Sequence, residues 1–416
     1  MLVYLQPILG SMPGTLLEGE PVPDDGSLPS GATQRFGDAP FGVYVHVPFC
    51  RSRCGYCDFN TYTASELGGG ASQAAYPDLV AQEIDLAAKV LPATSAPVST
   101  VFFGGGTPTL LAPERIGGVI RKIDESLGLA KGAEVTVEAN PETVGPAELE
   151  QLRAWGVNRL SFGMQSAVPH VLRVLDREHQ PNRPLDCVRW AREAGFEHVS
   201  LDLIYGTPGE SDDDWRRSLT AAIEAGPDHV SAYALIVEDG TRLAAKVRRG
   251  EIAAPDDDAM ADRYLIADDL LSAAGFGWYE LSNWAKSDES PSRHNLLYWT
   301  GGEWWGFGPG AHSHVGGVRW WNVKHPAAYA SRLAAGKSPA AARERLTAAE
   351  RRMEEIMLRV RLAEGLPLSL LTDTALSATE RMLADALIDP SAHAAGRLVL
   401  TRRGRLLADA VIRDLT

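Results

Sequence analysis

Short apolar runs recur along the first 240 residues, and most are followed by a segment with helical spacing. The segments between the runs, such as YPDLVAQEIDLAAKVL (76–91) and DDDWRRSLTAAIEA (212–225), have the apolar periodicity of amphipathic helices. This alternation predicts an α/β fold with a parallel sheet and right-handed crossovers. The predicted strands are VYVHVPF (43–49), STVFFGGG (99–106), EVTVEAN (134–140), NRLSFGMQ (158–165), HVSLDLIYG (198–206) and HVSAYALI (229–236).

Polar or glycine-rich features follow these predicted strands at their C-terminal ends. In (β/α) barrels the active site is built at that end, from loops that follow several strands. Six strand–helix units are fewer than the eight of a complete barrel, so the pattern predicts an open, partial (β/α)6 barrel. The features are three clustered cysteines, GGGTPT (104–109), Glu138, Gln165, Asp202 and Tyr233.

The pattern divides the chain into four predicted parts. Residues 1–40 form a mobile leader, because 11–40 are rich in Pro, Gly, Ser and Asp and lack an apolar period. Residues 41–240 form the partial barrel, and residues 241–345 form an irregular extension rich in Trp and Gly. Residues 346–416 are predicted as a small helical domain of winged-helix type, with a strong helix followed by a short strand, a turn and a final helix.

Composition and charge narrow the class of protein. The formal net charge of −14 comes from 40 Lys and Arg against 54 Asp and Glu, which argues against nucleic-acid binding. The N-terminus MLVYLQPILG lacks the basic region of a signal peptide, and no apolar stretch is long enough to span a bilayer. We therefore expect a cytoplasmic chain with reduced thiols, where clustered cysteines indicate metal binding or catalysis.

Three of the four cysteines lie within eight positions, in CRSRCGYC (50–57). One interpretation is half of a zinc site, with His46 or another residue as the fourth ligand. Structural zinc sites usually use paired cysteine knuckles, and the sequence has no second knuckle. The other interpretation is a [4Fe–4S] cluster, in which three thiolates leave one iron open for an exogenous ligand. The spacing favours the cluster. The fourth cysteine, Cys187, is predicted to be a small buried residue.

The cysteine loop resembles that of the radical S-adenosylmethionine (SAM) family. This resemblance implies a partial (β/α)6 barrel with Cys50, Cys54 and Cys57 as cluster ligands. It also implies that SAM chelates the open iron and that the reduced cluster cleaves SAM to a 5′-deoxyadenosyl radical. Several motifs over about residues 41–410 further resemble the haem-chaperone branch of the anaerobic coproporphyrinogen III oxidase family. They are YVHVPFCRSRCGYCDFNTY, FFGGGTPT, EANPE, SFGMQS, LDLIYGTPG and HNLLYW.

The resemblance also implies which residues contact SAM. The Gly-rich stretch would receive the SAM amino group, and the Arg177 guanidinium could hold the SAM carboxylate through a bidentate fork. Each position has a structural alternative as well: a glycine turn, a solvated carboxylate or a core strand residue. His312 stands where the oxidase branch has an aliphatic residue. The implied contacts are Tyr44, Tyr56, Gly106, Thr107, Glu138, Gln165, Arg177, Asp202, Ala234 and His312.

One departure from the oxidase branch separates the candidate functions. That branch carries a further cysteine two residues after the third cluster cysteine, where this chain has Phe59. We therefore expect a haem chaperone that passes haem to an acceptor protein and that needs a reducing partner for its cluster. The alternatives are oxygen-independent coproporphyrinogen III oxidase and a radical SAM enzyme for an unrelated substrate, so enzymatic activity stays open.

The segment RHNLLYWTGGEWWGFG (293–308) contains the candidate haem site. An imidazole is a natural ligand for haem iron, and aromatic side chains offer apolar area for a porphyrin. HNLLYW matches the H-N-x-x-Y-W motif associated with haem binding in the chaperone branch, which points to His294 as the axial ligand. His312, His314 and His325 are rival ligands. In the alternative interpretation, His294 only hydrogen-bonds within a loop and the tryptophans pack the extension.

Overall fold

The computed structural model describes residues 19–67, 72–92 and 96–416. Six parallel strands pair in chain order at the centre of a twelve-stranded sheet, which confirms the α/β fold with a parallel sheet. The sheet order runs from one edge strand to another, as expected of an open barrel. The strands are β1 (Phe41–Val47), β2 (Val98–Gly105), β3 (Leu129–Ala139), β4 (Arg159–Gln165), β5 (His198–Tyr205) and β6 (His229–Ala234).

Helices connect these strands and cover one face of the sheet. Side chains alternate between two faces along a strand, so Val43 and Val45 join the core formed by Val80 and Ile84 of the first helix. Capping also sets helix starts: the Ser211 and Asp214 side chains make a reciprocal capping box at the sixth helix. The helices are α1 (Tyr76–Val90), α2 (Pro113–Leu127), α3 (Pro146–Ala154), α4 (Pro169–Val174), α5 (Arg183–Glu193) and α6 (Asp212–Glu224).

The extension contains more regular secondary structure than the sequence predicts. Its strands are too short to show a clear alternating pattern, and they form by pairing with the edges of the barrel sheet. β9 runs parallel to β1 and carries an antiparallel meander at that edge, while β8 and β7 extend the opposite edge beyond β6. The elements are α7 (Arg242–Arg248), α8 (Asp257–Ala273), β7 (Gly277–Glu280), β8 (Asn283–Ala285), α9 (Arg293–Trp299), β9 (Glu303–Phe307), β10 (His312–Val315), β11 (Val318–Asn322), α10 (Pro326–Ala334) and β12 (Ala340–Arg345).

The C-terminal part is mainly helical, with two-residue strands β13 and β14 paired antiparallel. Its buried residues form an apolar cluster of their own, separate from that of the barrel. These residues thus form a mainly helical unit at the end of the chain. The elements are α11 (Ala348–Arg359), β13 (Leu366–Pro367), α12 (Asp373–Ala384), α13 (Pro390–Ala394), β14 (Arg397–Leu398), α14 (Arg402–Leu406) and α15 (Ala408–Leu415).

Part of the predicted mobile leader contacts the sheet. The backbones of Glu20 and Arg343 exchange two hydrogen bonds of 2.8 and 3.0 Å, and Ser338 N donates to Asp24 O at 2.6 Å. Hydrogen bonds between backbone groups do not require a periodic pattern of apolar side chains, so the sequence carries no sign of this pairing. Residues 20–40 therefore contact the rest of the protein, although a mobile segment was predicted there. Residues 1–18 lie outside the described residues, and mobility stays a prediction there. None of the helices in the described part of the chain combines the length and the apolar character that a transmembrane span requires.

Candidate cluster and cofactor site

The cysteine loop follows β1, and backbone hydrogen bonds hold both its ends. Cys50 N donates to Tyr62 O at 3.0 Å and Tyr62 N donates to Pro48 O at 2.7 Å, which brings the start and end of the loop together. In the middle, Gly55 N donates to Leu175 O at 3.2 Å, which ties the loop to the segment after α4. The thiols of Cys50, Cys54 and Cys57 are half-buried, whereas Cys187 is fully buried as predicted.

The environment of the three thiols suits a metal-bound thiolate. Burial raises the pKa of Cys57 to about 12 and raises that of Cys50. Arg177 Nη1 donates to Cys54 Sγ at 3.4 Å, so a cation faces this sulfur. Iron binding would replace the protons that burial otherwise retains. Across the described ranges, no group of three or more His, Cys, Asp or Glu side chains has the geometry for a single metal ion. Ligands of a four-iron cube lie further apart than ligands of one ion.

The GGGT stretch packs against the segment that leads into the cysteine loop. Gly106 N donates to Val47 O at 2.8 Å and Thr107 N donates to Phe49 O at 2.7 Å, so these amides bind the end of β1. A Cβ on Gly106 would lie 2.5 Å from Phe49 O, so the glycine permits close approach of backbone to backbone. Neither of these two amides is therefore available to bind a ligand. The Thr107 hydroxyl instead faces the Cys50 thiol and opposes the rise in its pKa.

Tyr44 lies on the inner face of the barrel and connects to the cysteine loop through His46. Its hydroxyl is 3.0 Å from His46 Nδ1, and His46 Nε2 is 2.9 Å from Asn60 O. Since the Asn60 carbonyl can only accept, Nε2 carries the proton and Nδ1 accepts from Tyr44. Burial lowers the pKa of His46, which stays neutral. Both ring nitrogens of His46, the suggested fourth zinc ligand, thus have protein partners.

Two carboxylates lie on the inner face near Tyr44. A Cβ on Gly104 would lie 3.1 Å from both Glu138 Oε2 and the Tyr44 ring, which places these side chains side by side. Burial, reinforced by the charge of Asp202, raises the pKa of Glu138 to about 8. Burial also raises the pKa of Asp202, although Ser161 donates to its Oδ2 at 2.8 Å. A cationic ligand between the carboxylates would favour their ionised forms.

Gln165 and Arg177 meet at the end of β4, where the backbone is strained. Gln165 has a φ of 62°, and Ser166 N donates to Met164 O across it at 2.7 Å, which forms a γ-turn of the uncommon hand. Arg177 Nη2 donates to Gly163 O at 2.8 Å, while its buried Nε has no hydrogen-bond partner. A strained glutamine beside a cation with an unused donor is typical of a ligand-binding position.

The remaining predicted contacts lie around the same end of the barrel. Tyr56 lies within the cysteine loop, where burial raises its pKa and Cys54 is a close neighbour. Ala234 ends β6, paired with Tyr205 of β5. His312 begins β10 and stacks on Trp321 with ring centroids 6.0 Å apart. Burial lowers the pKa of His312 to about 4, and the charge of Lys324 adds to this effect. These residues share an end of the barrel with the three thiols.

His294 lies elsewhere, towards the N-terminal end of the barrel strands. It is 1% exposed, and its Nδ1 lies 2.8 Å from Thr100 Oγ1 near the start of β2. Its Nε2 is 3.0 Å from the Tyr298 hydroxyl, and its backbone N donates to Glu134 Oε1 at 3.0 Å. Burial lowers the pKa of His294 to about 3. The HNLLYW segment therefore forms helix α9, which closes this end of the inner face.

The other aromatic and histidine candidates mostly pack the extension. Trp305 meets Trp320 at 4.7 Å, and Trp304 meets Tyr298 at 4.7 Å between ring centroids. Trp299 is buried beside the C-terminal part. His314 Nδ1 is 3.3 Å from Gly302 O. His325 caps α10.

Two residues at the site escaped the sequence reasoning. Asn60, in the quoted loop CDFNTY, binds the extension through its side chain. His179 follows Arg177 closely, is 5% exposed, and lies beside the backbone carbonyl of Met164. Burial and the charge of Arg177 lower its pKa to about 4. The only available signal was proximity in sequence, since Asn60 is three residues after Cys57 and His179 two after Arg177.

Comparison with known proteins agrees with this geometry. The Radical SAM superfamily matches residues 44–222. The protein named heme chaperone HemW of Mycobacterium tuberculosis (strain CDC 1551 / Oshkosh) is 54% identical over 376 residues, 90% of this chain and 95% of the relative. The protein of that name from Bacillus subtilis (strain 168) is 35% identical over 324 residues, 78% of this chain and 84% of the relative.

A solved structure shares the whole architecture. Coproporphyrinogen III oxidase (HemN) from Escherichia coli superposes with a TM-score of 0.79 at 22% identity, covering 99% of this chain and 98% of that chain. At this identity the likeness shows the fold alone, whereas the sequence relatives show the family. The chain therefore belongs to the radical SAM superfamily and, within it, to the family of the relatives named heme chaperone HemW.

Proposed function

We propose that this protein is a haem chaperone that binds haem together with a SAM-ligated [4Fe–4S] cluster and transfers haem to an acceptor protein. The observation that carries the proposal is the 54% identity, over nine-tenths of the chain, to a relative named as a heme chaperone. Phe59 supports it, because this side chain is 52% exposed where the oxidase branch is expected to have a further cysteine. A phenyl ring cannot supply the chemistry of a thiol at that position.

The residues at the end of the barrel fit the proposed cofactors. Three half-buried thiols offer a cluster one ligand fewer than four irons need, which leaves a position for SAM. Glu138 and Asp202 suit the ammonium group of SAM, and the unused donor of Arg177 suits its carboxylate. When bound and reduced by a partner, the cluster would supply the electron that cleaves SAM to an adenosyl radical.

The side chains of this chain would hold and orient these groups. Tyr44 would flank SAM, kept in position by the hydroxyl–imidazole bond to His46. Gln165 would reach SAM from the strained γ-turn, and Tyr56 would shield the cluster from water within its loop. Thr107 would act through Cys50, because its hydroxyl faces that sulfur and its amide is used by Phe49. Gly106 would serve by letting the strand ends approach each other.

Two histidines compete as the haem ligand. The motif points to His294, but coordination of iron by its ring would require the loss of a hydrogen bond to Thr100 or Tyr298. The geometry points to His312, which is half-buried at the cofactor end of the barrel and lies against Trp321. Burial keeps both imidazoles neutral, and the neutral ring is the form that binds iron.

Anaerobic titration with haemin tests the proposal and separates the two ligands. We expect stoichiometric uptake with a Soret band that shifts in His294→Ala or in His312→Ala, with iron and sulfide contents unchanged. His170→Ala serves as the control, because that imidazole is 44% exposed and is none of the candidate haem ligands. A parallel incubation with SAM, dithionite and coproporphyrinogen should give no protoporphyrinogen. Turnover at a useful rate, or failure to take up haemin, would overturn the chaperone proposal in favour of the oxidase alternative.

A further inference from the structure

The Asn60 side chain joins the cysteine loop to the extension. Its Nδ2 donates to Pro309 O at 3.0 Å and to Lys324 O at 2.8 Å, and its Oδ1 accepts from the Tyr62 hydroxyl at 3.1 Å. Both amide hydrogens thus bind carbonyl groups of the extension, more than 240 positions away along the chain. Because both the oxygen and the nitrogen of the Asn60 amide are hydrogen-bonded, this side chain fixes the position of the cysteine loop relative to the extension.

The segment that Asn60 binds is the turn from Gly308 to Ala311, between β9 and β10. Gly310 has a φ of 76°, and a Cβ there would lie 2.5 Å from Asn60 Nδ2, so glycine is needed for both the turn and the contact. His312 follows this turn directly. Displacement of the Asn60 amide would therefore also displace the start of β10.

A buried carboxylate holds the same turn from the other side. Glu83 of α1 accepts from Gly308 N at 2.9 Å, from Asn322 Nδ2 at 2.7 Å and from the Tyr329 hydroxyl at 2.5 Å. Asn322 Nδ2 also donates to Gly308 O at 2.9 Å. Because α1 packs behind the turn, the turn has little freedom to relax when the cysteine loop moves. A movement of Asn60 should therefore displace the residues that follow the turn.

Asn60 also connects to the inner face of the barrel. Its carbonyl accepts from His46 Nε2 at 2.9 Å, and His46 in turn accepts from Tyr44. One residue therefore has polar contacts in three directions: to the cysteine loop through Tyr62, to the proposed SAM pocket through His46, and to the His312 turn through Pro309. These contacts run through direct hydrogen bonds of 2.8 to 3.1 Å.

We propose that Asn60 is a positioning residue that couples the cysteine loop to the turn carrying His312, so that filling the loop with its cluster orders the extension. This inference rests on the proposed function for the presence of the cluster. Asn60 touches no cluster ligand in the hydrogen bonds described above, and it acts through the backbone of residues 308–312 and 324. Its removal should uncouple the two segments while the three thiols remain able to bind iron.

Hydrogen exchange of the full chain, with and without reconstituted cluster, tests the coupling. In the wild type, cluster loading should slow amide exchange in residues 306–325 by about tenfold. In Asn60→Ala at equal iron content, the slowing should fall to about twofold or less. Ser65→Ala is the control, since it removes an exposed hydroxyl that contacts Thr63 just after the cysteine loop and keeps both amide bonds of Asn60 to the extension. It should behave as the wild type.

The outcomes that overturn the inference are distinct from failure of the proposed function. Full slowing in an iron-loaded Asn60→Ala, or no slowing in an iron-loaded wild type, rejects the coupling alone. A wild type that takes up no iron rejects the cluster assignment and the coupling with it. If Asn60→Ala itself retains no iron, Gly310→Ala decides, because its Cβ would displace the Asn60 amide. That variant should lose iron to a chelator about fivefold faster than wild type, and an unchanged rate rejects the coupling.

Discussion

Replacement of His294 by alanine should destabilise the haem-free protein, whatever its effect on haem. The imidazole lies between Thr100 and Tyr298 at hydrogen-bond distances of 2.8 and 3.0 Å. It also stacks on Phe102, with ring centroids 5.1 Å apart, and is 1% exposed. Alanine removes the ring from this enclosed position and leaves two hydroxyl groups without their partner.

The size of the effect follows from these contacts. Each lost hydrogen bond costs about 1 kcal/mol, and more where the abandoned hydroxyl stays dry. Loss of the packed ring adds roughly 2 to 3 kcal/mol, by comparison with other large-to-small core substitutions. The sum is about 4 to 5 kcal/mol. For a chain of 416 residues this corresponds to a fall in Tm of about 5 to 6 °C.

Thermal unfolding of the haem-free protein, followed by circular dichroism at neutral pH, measures this effect. His170→Ala is the control, since that side chain is 44% exposed and its replacement should change Tm little. An unchanged Tm in His294→Ala, with haem binding lost, would refute the enclosed geometry and leave His294 as a ligand with no structural role. A lowered Tm with an unchanged Soret band would leave it with a structural role only.

Three further predictions concern the thiols, the inner face and the buried carboxylates. Reconstituted wild type should hold about four irons per chain. Replacement of Cys50, Cys54 or Cys57 by serine should abolish iron binding, whereas Cys187→Ser should leave it unchanged. Zinc in place of iron after anaerobic purification would contradict the cluster assignment. Asp202→Asn should weaken the change that SAM causes in the EPR signal of the cluster, while the iron content stays unchanged. If this variant binds SAM as tightly as wild type does, the SAM pocket lies elsewhere. Burial raises the pKa of Glu83 from 4.5 to about 7, so the folded state holds this proton more tightly than the unfolded chain, and Glu83 alone should lower the free energy of unfolding by about 2 to 3 kcal/mol as pH rises from 5 to 8. Urea unfolding at pH 5 and pH 8 measures this change, and the fall in the free energy of unfolding should be smaller by that amount in Glu83→Gln than in wild type. An equal fall in both proteins would contradict the raised pKa of Glu83.

Local pattern alone determined the strands of the barrel and the position of the candidate cluster site. Alternating apolar residues such as those of VYVHV place one face of a strand in a core wherever it pairs, so β1 and its neighbours could be predicted from sequence. The cysteine spacing likewise needs only a short loop, and three thiols in one loop are close in any fold. The C-terminal ends of parallel strands share one edge, which is why Glu138 and Asp202 could be predicted to meet.

Only the tertiary structure decided how the extension relates to these elements. HNLLYW has the same residues whether it lines an open haem pocket or closes the barrel, and the contact of His294 with Thr100, 194 positions earlier, selects the enclosed arrangement. The contact of Asn60 with Lys324 is equally remote, at 264 positions. Such contacts arise because β9 pairs with the open edge of β1. Pairing at a sheet edge depends on backbone N–H and C=O groups, which nearly every residue carries. It therefore cannot be predicted from the pattern of side chains.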